Sequence, residues 1–510
     1  MTSFADLPAE VMDLIGDYLN NGVNSFKPLT LVSSKLYHHF SQRLWRHIMI
    51  HSHTPPDFFS VLKDRTHFVH SIRFKGRVQT EYYLIHYPGL LIFEHDNTTR
   101  IIAKAKEVCC NSADFFRLNP TIQDVIITPR DLSLNEGFWN AISTSLQNPR
   151  RLKLGREDAI MKLVMQGGSG RAFWRACSQF EQVDYMGRDQ SGALTKDVSF
   201  DCSRLQRLDY TVMECPENMP SLWKWMGRCS NLIKLHWGGL VPIGHVNADV
   251  EPPVWPYLED LCLGDVRGTD ETMARVLFTH LPPSLKHLGV ESATFGPESF
   301  GTLRKRVFGN LRTLSVRGCR SFSSPMVLEV LQKCPRLEEL DAYSITTTDL
   351  RGHPGAWACH GLTLLRVTFR SGRGEDEESD DHDNNDSDDH HLLFKHISTL
   401  TRLEELDMTR YPETSAGNWF RPSRQTGPQL RLDSGLDQLL TLTRLKKVKF
   451  SGIVQNMRVV DVDWMLESWP KLDELCGGFS RKANTEKELN ALVRGRGIVV
   501  GARQHHYSLY

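Results

Sequence analysis

Few residues in this sequence have the types and spacing that chemistry requires. The glycine-rich run at 167–170 is not a phosphate-binding loop, because no Lys followed by Ser or Thr comes after it. His382 lies between two aspartates and could ligate a metal, but the polar surroundings favour simple solvation. No HExxH or GxSxG motif is present. The sequence therefore predicts no enzymatic activity, no metal site and no cofactor, and function must lie in surfaces.

Composition argues against several other classes. The chain has 510 residues, too many for one ordinary domain, and its 61 basic residues balance 61 acidic ones. A neutral chain gives no support for binding nucleic acid or anionic membranes, and no apolar run approaches the roughly 18 residues that span a bilayer. The N-terminus lacks a signal-peptide pattern, and the 11 cysteines lack metal-site spacing. We expect reduced thiols and a cytoplasmic or nuclear location, or both.

The segment Phe308–Ser344 shows how the chain is built. It opens with an LxxLxL pattern that ends at Val316, continues through a polar turn, and enters a helical run at Pro325. A second LxxLxL begins at Leu337. This order predicts a strand, a loop, a helix and then the next strand, a unit of about 26 residues.

The same pattern recurs along most of the chain. If the middle apolar residue of each LxxLxL is its marker, successive markers from Val125 to Leu365 are 25 to 31 residues apart. The gap before Val125 has room for one degenerate repeat, which we place near Val108. Predicted crossover helices include Glu136–Leu146 and Pro325–Cys334, as parallel strands require. The markers are Ile72, Val125, Leu152, Val183, Leu208, Leu235, Leu261, Leu288, Leu314, Leu340, Leu365, Leu406, Val448 and Leu475.

These units resemble leucine-rich repeats of the Cys-containing subtype. Cys334-Pro335-x-Leu337 matches the start of that repeat fully, and Cys202, Cys229 and Cys359 stand in the same place without the proline. The resemblance implies an α/β solenoid over residues 51–480, in which a curved parallel sheet carries helices on its outer face. We expect the cysteines to be small buried hydrophobic residues.

One row of residues on the sheet is the predicted target-binding surface. Alternation along a strand sends the residue between the last two apolar positions away from the core. Its mixed charges identify no single target chemistry, and a solvated face without a partner accounts for the same pattern. The row includes Cys262 and Gly289, and the predicted target-binding residues are His236, Trp237, Ser315, Asp341, Tyr343, Arg366, Asp407 and Lys449.

Two inserts and a C-terminal cap interrupt or end the array. Residues 371–391 are almost wholly acidic and polar, which predicts a disordered insert. Residues 411–432, rich in Pro, Gly, Arg and Ser, form the second insert. Residues 481–510 are interpreted as a cap and tail, with a helix at Asn484–Arg494 and a short strand at Arg496–Val500.

The first 50 residues differ from the repeats. Leu7–Leu19 has apolar residues at helical spacing, and Pro28 opens a second apolar run. A segment of this length buries little apolar surface, so the excess indicates a docking partner or a helical cap on the repeats. The segment resembles an F-box, through Leu7-Pro8-x-Glu10-Val11, Ile15, Tyr18-Leu19, Pro28-Leu29, Leu31-Val32-Ser33, Tyr37 and Leu44-Trp45.

The F-box resemblance implies a partner and a function. It implies three packed helices that bind a Skp-type adaptor, which docks onto a cullin scaffold. Combined with the repeats, it implies the substrate-recognition subunit of a Skp–cullin–F-box ubiquitin ligase. A repeat scaffold without a role in ubiquitylation is the alternative. The expected adaptor contacts are Leu7, Pro8, Ile15, Leu29, Val32, Leu44 and Trp45.

Overall fold

A computed structural model describes two units of the chain, and each is treated by itself below. The first comprises Met1–Leu240 and Asn247–Trp255, and the second comprises Val241–Val246 and Pro256–Tyr510. The described residues are 45–51, 54, 57–75, 85–96, 113–127, 131–155, 162–165, 169–187, 200–212, 219–241, 243–245, 253–292, 294–370, 384–409, 427–453 and 455–501.

The strands of the first unit pair in parallel. In the order β1-β2-β3-β4-β6-β8-β9-β10 they form one ladder, while β5 and β7 pair separately. These strands are β1 (His47–His51), β2 (Ser71–Lys75), β3 (Ile92–Asp96), β4 (Asp124–Ile127), β5 (Asp131–Leu134), β6 (Arg151–Leu154), β7 (Lys162–Met165), β8 (Gln182–Gly187), β9 (Arg207–Val212) and β10 (Lys234–Val241). The helices include α1 (Asp57–Lys63), α2 (Glu136–Ser145), α3 (Ser169–Cys177) and α4 (Met219–Gly227), and residues 113–118 are also helical.

The second unit continues the same design in strict chain order. Each strand pairs in parallel with the next, from the first to the last. They are β11 (Asp260–Val266), β12 (His287–Glu291), β13 (Thr313–Ser315), β14 (Glu339–Thr346), β15 (Leu364–Arg370), β16 (Glu405–Asp407), β17 (Lys447–Lys449), β18 (Glu474–Cys476) and β19 (Val499–Gly501). The helices are α5 (Asp270–Val276), α6 (Pro297–Arg306), α7 (Ser324–Lys333), α8 (Thr347–Gly352), α9 (Asn384–Ile397), α10 (Val459–Ser468) and α11 (Ala483–Gly495).

The predicted markers lie in register within each ladder. Ile72, Val125 and Leu152 belong to one row in the first unit, and Leu314, Leu340 and Leu365 belong to one row in the second. All predicted markers are at most 2% exposed, because each packs beneath its own strand. The α/β leucine-rich-repeat solenoid is therefore confirmed.

The degenerate repeat is not where the spacing suggested. Its strand is β3, where Phe93 pairs with Ile72 on one side and Val125 on the other. Phe93 is 1% exposed, so an aromatic ring fills the position of the marker. The expected position near Val108 lies outside the described residues.

The two units fill their cores differently. In the first, aromatic rings touch from repeat to repeat, as in the pairs Phe116–Phe138, Trp139–Phe173 and Trp174–Trp225, whose centroids are 5.5, 4.9 and 4.6 Å apart. The second unit relies mainly on leucine and valine between its helices and strands. The predicted burial of the cysteines is confirmed for Cys177, Cys202, Cys229, Cys319, Cys334 and Cys359.

The acidic insert is shorter than expected. Residues 384–391 open helix α9, so the predicted disorder is wrong for that part, while 371–383 lie outside the described residues. Acidic residues are favoured at the N-terminus of a helix, the positive end of its dipole. The apolar face of helix α9 is buried through Leu393, Phe394 and Ile397. The sequence argument weighed the acidic run without the apolar residues that follow it.

The second insert and the cap are described in part. Residues 410–426 and 502–510 lie outside the described residues. Leu430 is buried, and its backbone N–H donates to Gln455 Oε1 at 2.9 Å, so the end of the second insert belongs to a repeat. Helix α11 and strand β19 occupy the predicted cap, where Leu489 and Val493 are buried.

The side-chain carboxylate of Asp270 connects two neighbouring repeats. The Asp270 carboxylate, on helix α5, accepts from the backbone N–H groups of Gly296, Glu298 and Ser299 at 2.9, 2.8 and 3.1 Å. These groups form the start of helix α6, whose N-cap Gly296 has no side chain of its own. Burial would raise the pKa of Asp270, but the hydrogen bonds from Ser299, Gly296 and Glu298 outweigh it and lower the pKa.

Replacing Asp270 is therefore expected to weaken the second unit. Asp270→Ala should lower the free energy of unfolding by about 1–2 kcal/mol, since three N–H groups lose their acceptor. Because the pKa is lower in the folded state, this stabilisation is present above the unfolded pKa and is lost as the pH falls through the folded one. Urea unfolding of both variants at neutral and acidic pH measures the difference. An Asp270→Ala variant as stable as the parent at neutral pH would contradict this capping role.

Candidate interaction surface

The strands hold two rows of side chains on one face of the second unit. Residues on either side of each marker point away from the core, and neighbouring strands are about 4.8 Å apart, so these side chains meet across the ladder. We call this side the open face. Its central part carries Thr313, Ser315, Glu339, Asp341, Leu364, Arg366, Glu405, Asp407, Lys447 and Lys449, all in register.

Arg366 lies at the centre of an ion-pair network on this face. Its Nη1 donates to Asp341 Oδ2 at 3.0 Å, on the preceding strand β14. Its Nε donates to Asp407 Oδ2 at 3.1 Å and its Nη2 to Glu405 Oε1 at 3.2 Å, both on the following strand β16. One guanidinium thus links three adjacent strands through its planar set of donors.

Two further cations complete the network. Lys449 Nζ donates to Glu405 Oε1 at 2.9 Å, from strand β17. Arg317 Nη1 lies 3.6 Å from Asp341 Oδ1, within the range of an ion pair. Three carboxylates therefore face three cations across four strands and the turn after β13, and the charges of the cluster cancel.

Burial and neighbouring charges shift the pKa values of these groups to different extents. Burial would lower the pKa of Arg366, but the charges of Asp341, Asp407 and Glu405 raise it, so the guanidinium stays protonated. Burial would also lower the pKa of Lys449, and Glu405 reverses this shift. For Asp341, burial raises the pKa more than Arg317 and Arg366 lower it. Its surroundings therefore disfavour the charged form of Asp341.

This network changes the reading of several predicted target-binding residues. Asp407 is 3% exposed, so the expectation that it contacts a target is wrong: its neighbours cover it. Arg366 and Lys449 keep part of their side chains exposed, 27% and 25%, but both are held by internal ion pairs. Ser315 is half-buried beside Asp341 in the same row.

Tyr343 has a different setting at the end of strand β14. The register between β14 and β15 shifts between Asp341 and Ser344, so Ala342 and Tyr343 together lie opposite Val367 in a β-bulge. Arg370 Nη2 donates to the Tyr343 hydroxyl at 3.0 Å, and its guanidinium lies 5.0 Å from the ring centroid. Tyr343 is half-buried, so part of the residue stays accessible to solvent.

The two predicted target-binding residues of the first unit, His236 and Trp237, differ in their exposure to solvent. His236 lies on the same face as Asp209, with 3.2 Å between Nδ1 and Oδ1, and its side chain is 37% exposed. Trp237 is fully buried, with its ring 6.0 Å from that of Tyr210 and 6.1 Å from that of Trp223. The prediction that Trp237 binds a target is therefore wrong, because it occupies the last apolar position of LxxLxL.

One of the predicted adaptor contacts lies within the described residues. Leu7, Pro8, Ile15, Leu29, Val32 and Leu44 lie outside the described residues. Trp45 is described: it is half-buried, and its ring stacks on Phe58 with 5.7 Å between centroids. Residues 45–46 are helical and lead directly into strand β1 at His47.

The sequence analysis missed three residues of this surface, namely Glu405, Arg317 and Arg370. It considered only the row after each marker, whereas alternation also places the residue two positions earlier or later on the same face. Glu405 precedes Asp407 by two residues, and Arg317 follows Ser315 by two. Applying that rule to both sides of the marker would have found Glu405 and Arg317, whereas Arg370 lies four residues after Arg366.

Neither a metal-binding cluster nor a membrane-spanning helix is present among the described residues. Within the ranges given above, no group of three or more His, Cys, Asp and Glu side chains lies close enough to hold a metal ion. Cys476 is half-buried on the open face, and burial raises the pKa of its thiol to about 12, which keeps it protonated. No helix in the described part of the chain is long and apolar enough to cross a membrane.

Comparison with known proteins adds two distant structural similarities. No family model and no curated protein matches the chain. An internalin from Listeria monocytogenes is similar at 10% identity and a TM-score of 0.33, over 87% of this chain and 89% of that one. A structure of the Rad7 and Elc1 complex in yeast is similar at 15% identity and a TM-score of 0.32, over 83% and 97%. Both TM-scores are below 0.5, so neither similarity is evidence about function.

The ion-pair network predicts how much stability the protein loses when Arg366 is replaced. Arg366→Ala leaves three carboxylates close together, so the free energy of unfolding should fall by about 3 kcal/mol. The matched control is Arg312→Ala, which removes an exposed ion pair of 3.0 Å with Glu338 and should cost less than about 1 kcal/mol. Urea unfolding at neutral pH compares the two. Equal losses would mean that Arg366 is no more than an ordinary surface arginine.

Proposed function

We propose that this protein is the substrate-recognition subunit of a Skp–cullin–F-box ubiquitin ligase. Residues 1–50 would bind a Skp-type adaptor, and through it a cullin, while the solenoid binds the target protein. The chain itself would carry out no chemistry. It would raise the local concentration of target lysines near a conjugating enzyme held elsewhere in the complex.

The observation that carries the proposal is the direct connection between the F-box-like segment and the repeats. The Leu44-Trp45 pair ends the F-box-like pattern, and β1 begins two residues after Trp45. The Trp45 ring, stacked on Phe58 of helix α1, ties this junction to the first repeat. Such a junction suits a receptor that must hold its target at a defined distance from the adaptor. It also gives Trp45 an internal packing role beside the proposed adaptor contact.

The open face supports the other half of the proposal. A wide sheet surface with paired charges and a half-buried tyrosine can distinguish partners by electrostatic complementarity. Of the predicted target-binding residues, His236, Ser315, Asp341, Tyr343, Arg366 and Lys449 remain in the proposal, while Trp237 and Asp407 are withdrawn. A cytoplasmic or nuclear location suits such a ligase.

The first experiment tests adaptor binding. The double variant Leu7→Ala/Pro8→Ala in the full chain should bind a purified Skp-type adaptor at least about tenfold more weakly, because both apolar contacts of the motif are removed. Arg312→Ala, on the solenoid, should bind like the parent. Pull-down and calorimetric titration give the affinities, and circular dichroism checks the fold. Unchanged adaptor binding by the double variant would disprove the docking assignment.

A second experiment separates the ligase subunit from a plain scaffold. The adaptor complex of the parent chain should capture a cullin, and proteins bound to the solenoid should accumulate when the proteasome is inhibited. A stable adaptor complex that captures no cullin, with no accumulating partner, would favour the repeat scaffold without a role in ubiquitylation.

A further inference from the structure

Two cysteine thiols lie against each other in neighbouring repeats of the first unit. Cys202 and Cys229 stand six residues before the markers of β9 and β10, and the carbonyl of each accepts from the backbone N–H three residues later at 3.1 Å. The two turns are joined, since Asn231 Nδ2 donates to the Ser203 carbonyl at 2.6 Å. The thiols themselves share a hydrogen bond. We call Cys202 and Cys229 the dithiol pair.

The backbone positions of the dithiol pair suit a disulfide. The strands that follow the two turns pair in parallel register, with Leu208 beside Leu235, and such strands are about 4.8 Å apart. Disulfides connect residues whose Cα atoms are about 4.4–6.8 Å apart. A bond between the two sulfur atoms would therefore link neighbouring repeats without changing their register.

Buried hydrogen-bond donors favour the thiolate form of Cys202. Its Sγ lies 3.2 Å from Ser178 Oγ, which in turn accepts from Trp225 Nε1 at 3.2 Å. The Ser178 hydroxyl also lies 2.9 Å from the Trp174 carbonyl, and ionisation of the thiol would draw its hydrogen towards the sulfur. Hydrogen bonds from Cys229 and Ser178 outweigh burial and lower the pKa of Cys202. Burial raises the pKa of Cys229, so that thiol stays protonated.

Cys202 lies beneath a turn at the surface. The residue is 1% exposed, but Asp201 and Ser203 on either side of it are exposed. Local opening of a surface turn requires much less free energy than global unfolding. Such an opening would admit a molecule as small as hydrogen peroxide to the thiol.

The second unit holds a matched pair of cysteines. Cys334 and Cys359 also stand six residues before the markers of neighbouring strands, and their carbonyls accept from the N–H three residues later at 3.1 and 3.0 Å. Burial raises the pKa of both thiols, that of Cys359 to about 12. This pair therefore has the spacing of the dithiol pair but neither of its thiols favours ionisation, which makes it an internal control.

We propose that the dithiol pair is a peroxide-sensitive site that closes into a disulfide between two repeats. The Cys202 thiolate attacks one oxygen of hydrogen peroxide, the O–O bond breaks, and the leaving hydroxide takes up the thiol proton to form water. The sulfur of Cys229 then attacks the sulfenic acid, the S–O bond breaks, and the leaving hydroxide takes the proton of Cys229. Two thiols are oxidised to one disulfide while the peroxide is reduced to two waters. The inference holds for a ligase subunit and for a scaffold alike.

The experiment uses the full, reduced chain with hydrogen peroxide as the probe. After a short exposure at neutral pH, free thiols are blocked with N-ethylmaleimide, and the unreduced peptides are identified by mass spectrometry. The cross-link between Cys202 and Cys229 should form in at least about tenfold higher yield than that between Cys334 and Cys359, since each pKa unit changes the thiolate fraction about tenfold. Dithiothreitol should remove the cross-link.

Substitutions assign the two roles within the dithiol pair. Cys202→Ser should leave Cys229 reduced, whereas Cys229→Ser should leave Cys202 as a sulfenic acid that dimedone labels. Ser178→Ala should slow the oxidation of Cys202 at least about threefold, because the thiolate loses a donor. Cys359→Ser is the control and should leave the cross-link in the first unit unchanged. Circular dichroism confirms that each variant is folded.

Two results would overturn the proposal. One is an equal yield of cross-link in the dithiol pair and in the pair of the second unit, which would mean that spacing alone decides the reaction. The other is a cross-link that forms only after the chain is unfolded in urea, which would mean that the folded first unit does not present Cys202 to peroxide.

Discussion

Parallel strand pairing is the constraint on which both units depend. A parallel neighbour cannot be reached by a tight turn, so every repeat must carry its chain back through a crossover before the next strand begins. Once the strands stand in register, the marker of each repeat lies directly beside the marker of the next. The core then becomes a continuous apolar row, in which a single polar marker would leave an unsatisfied group between two neighbours.

The same register also governs the open face. Side chains on adjacent strands are forced into contact. A charge in one repeat must therefore pair with an opposite charge in the next repeat or be solvated by water. The charge of Arg366 is neutralised on both sides, by Asp341 on one strand and by Asp407 and Glu405 on the other. Any partner that binds here must replace ion pairs that already exist. Such an exchange contributes more to discrimination among partners than to affinity.

The sequence was most informative where period alone decides the structure. Marker spacing predicted the strands from Val125 to Leu475, but it could not place β3, because Phe93 fills the marker position without the leucine pattern. The row on the open face was predicted from alternation. Burial within that row was not, since the cover over Asp407 depends on how the side chain of Arg366 is oriented. The prediction for Trp237 was wrong because its position two residues after Leu235 belongs to the core. Composition also wrongly predicted disorder at the start of helix α9, because the acidic residues there are followed by a strongly apolar stripe.

The aromatic core of the first unit has an optical consequence. Trp174 and Trp225 are in contact, and further rings connect Trp139, Trp223, Trp237 and Trp255 across successive repeats. Indoles this close share their excitation, so near-ultraviolet circular dichroism and tryptophan emission report chiefly on the packing of this unit. In the second unit, the described indoles are Trp357, Trp464 and Trp469. Melting of the leucine and valine core would therefore change these signals only through the three indoles of the second unit, while backbone signals in the far ultraviolet would record both units.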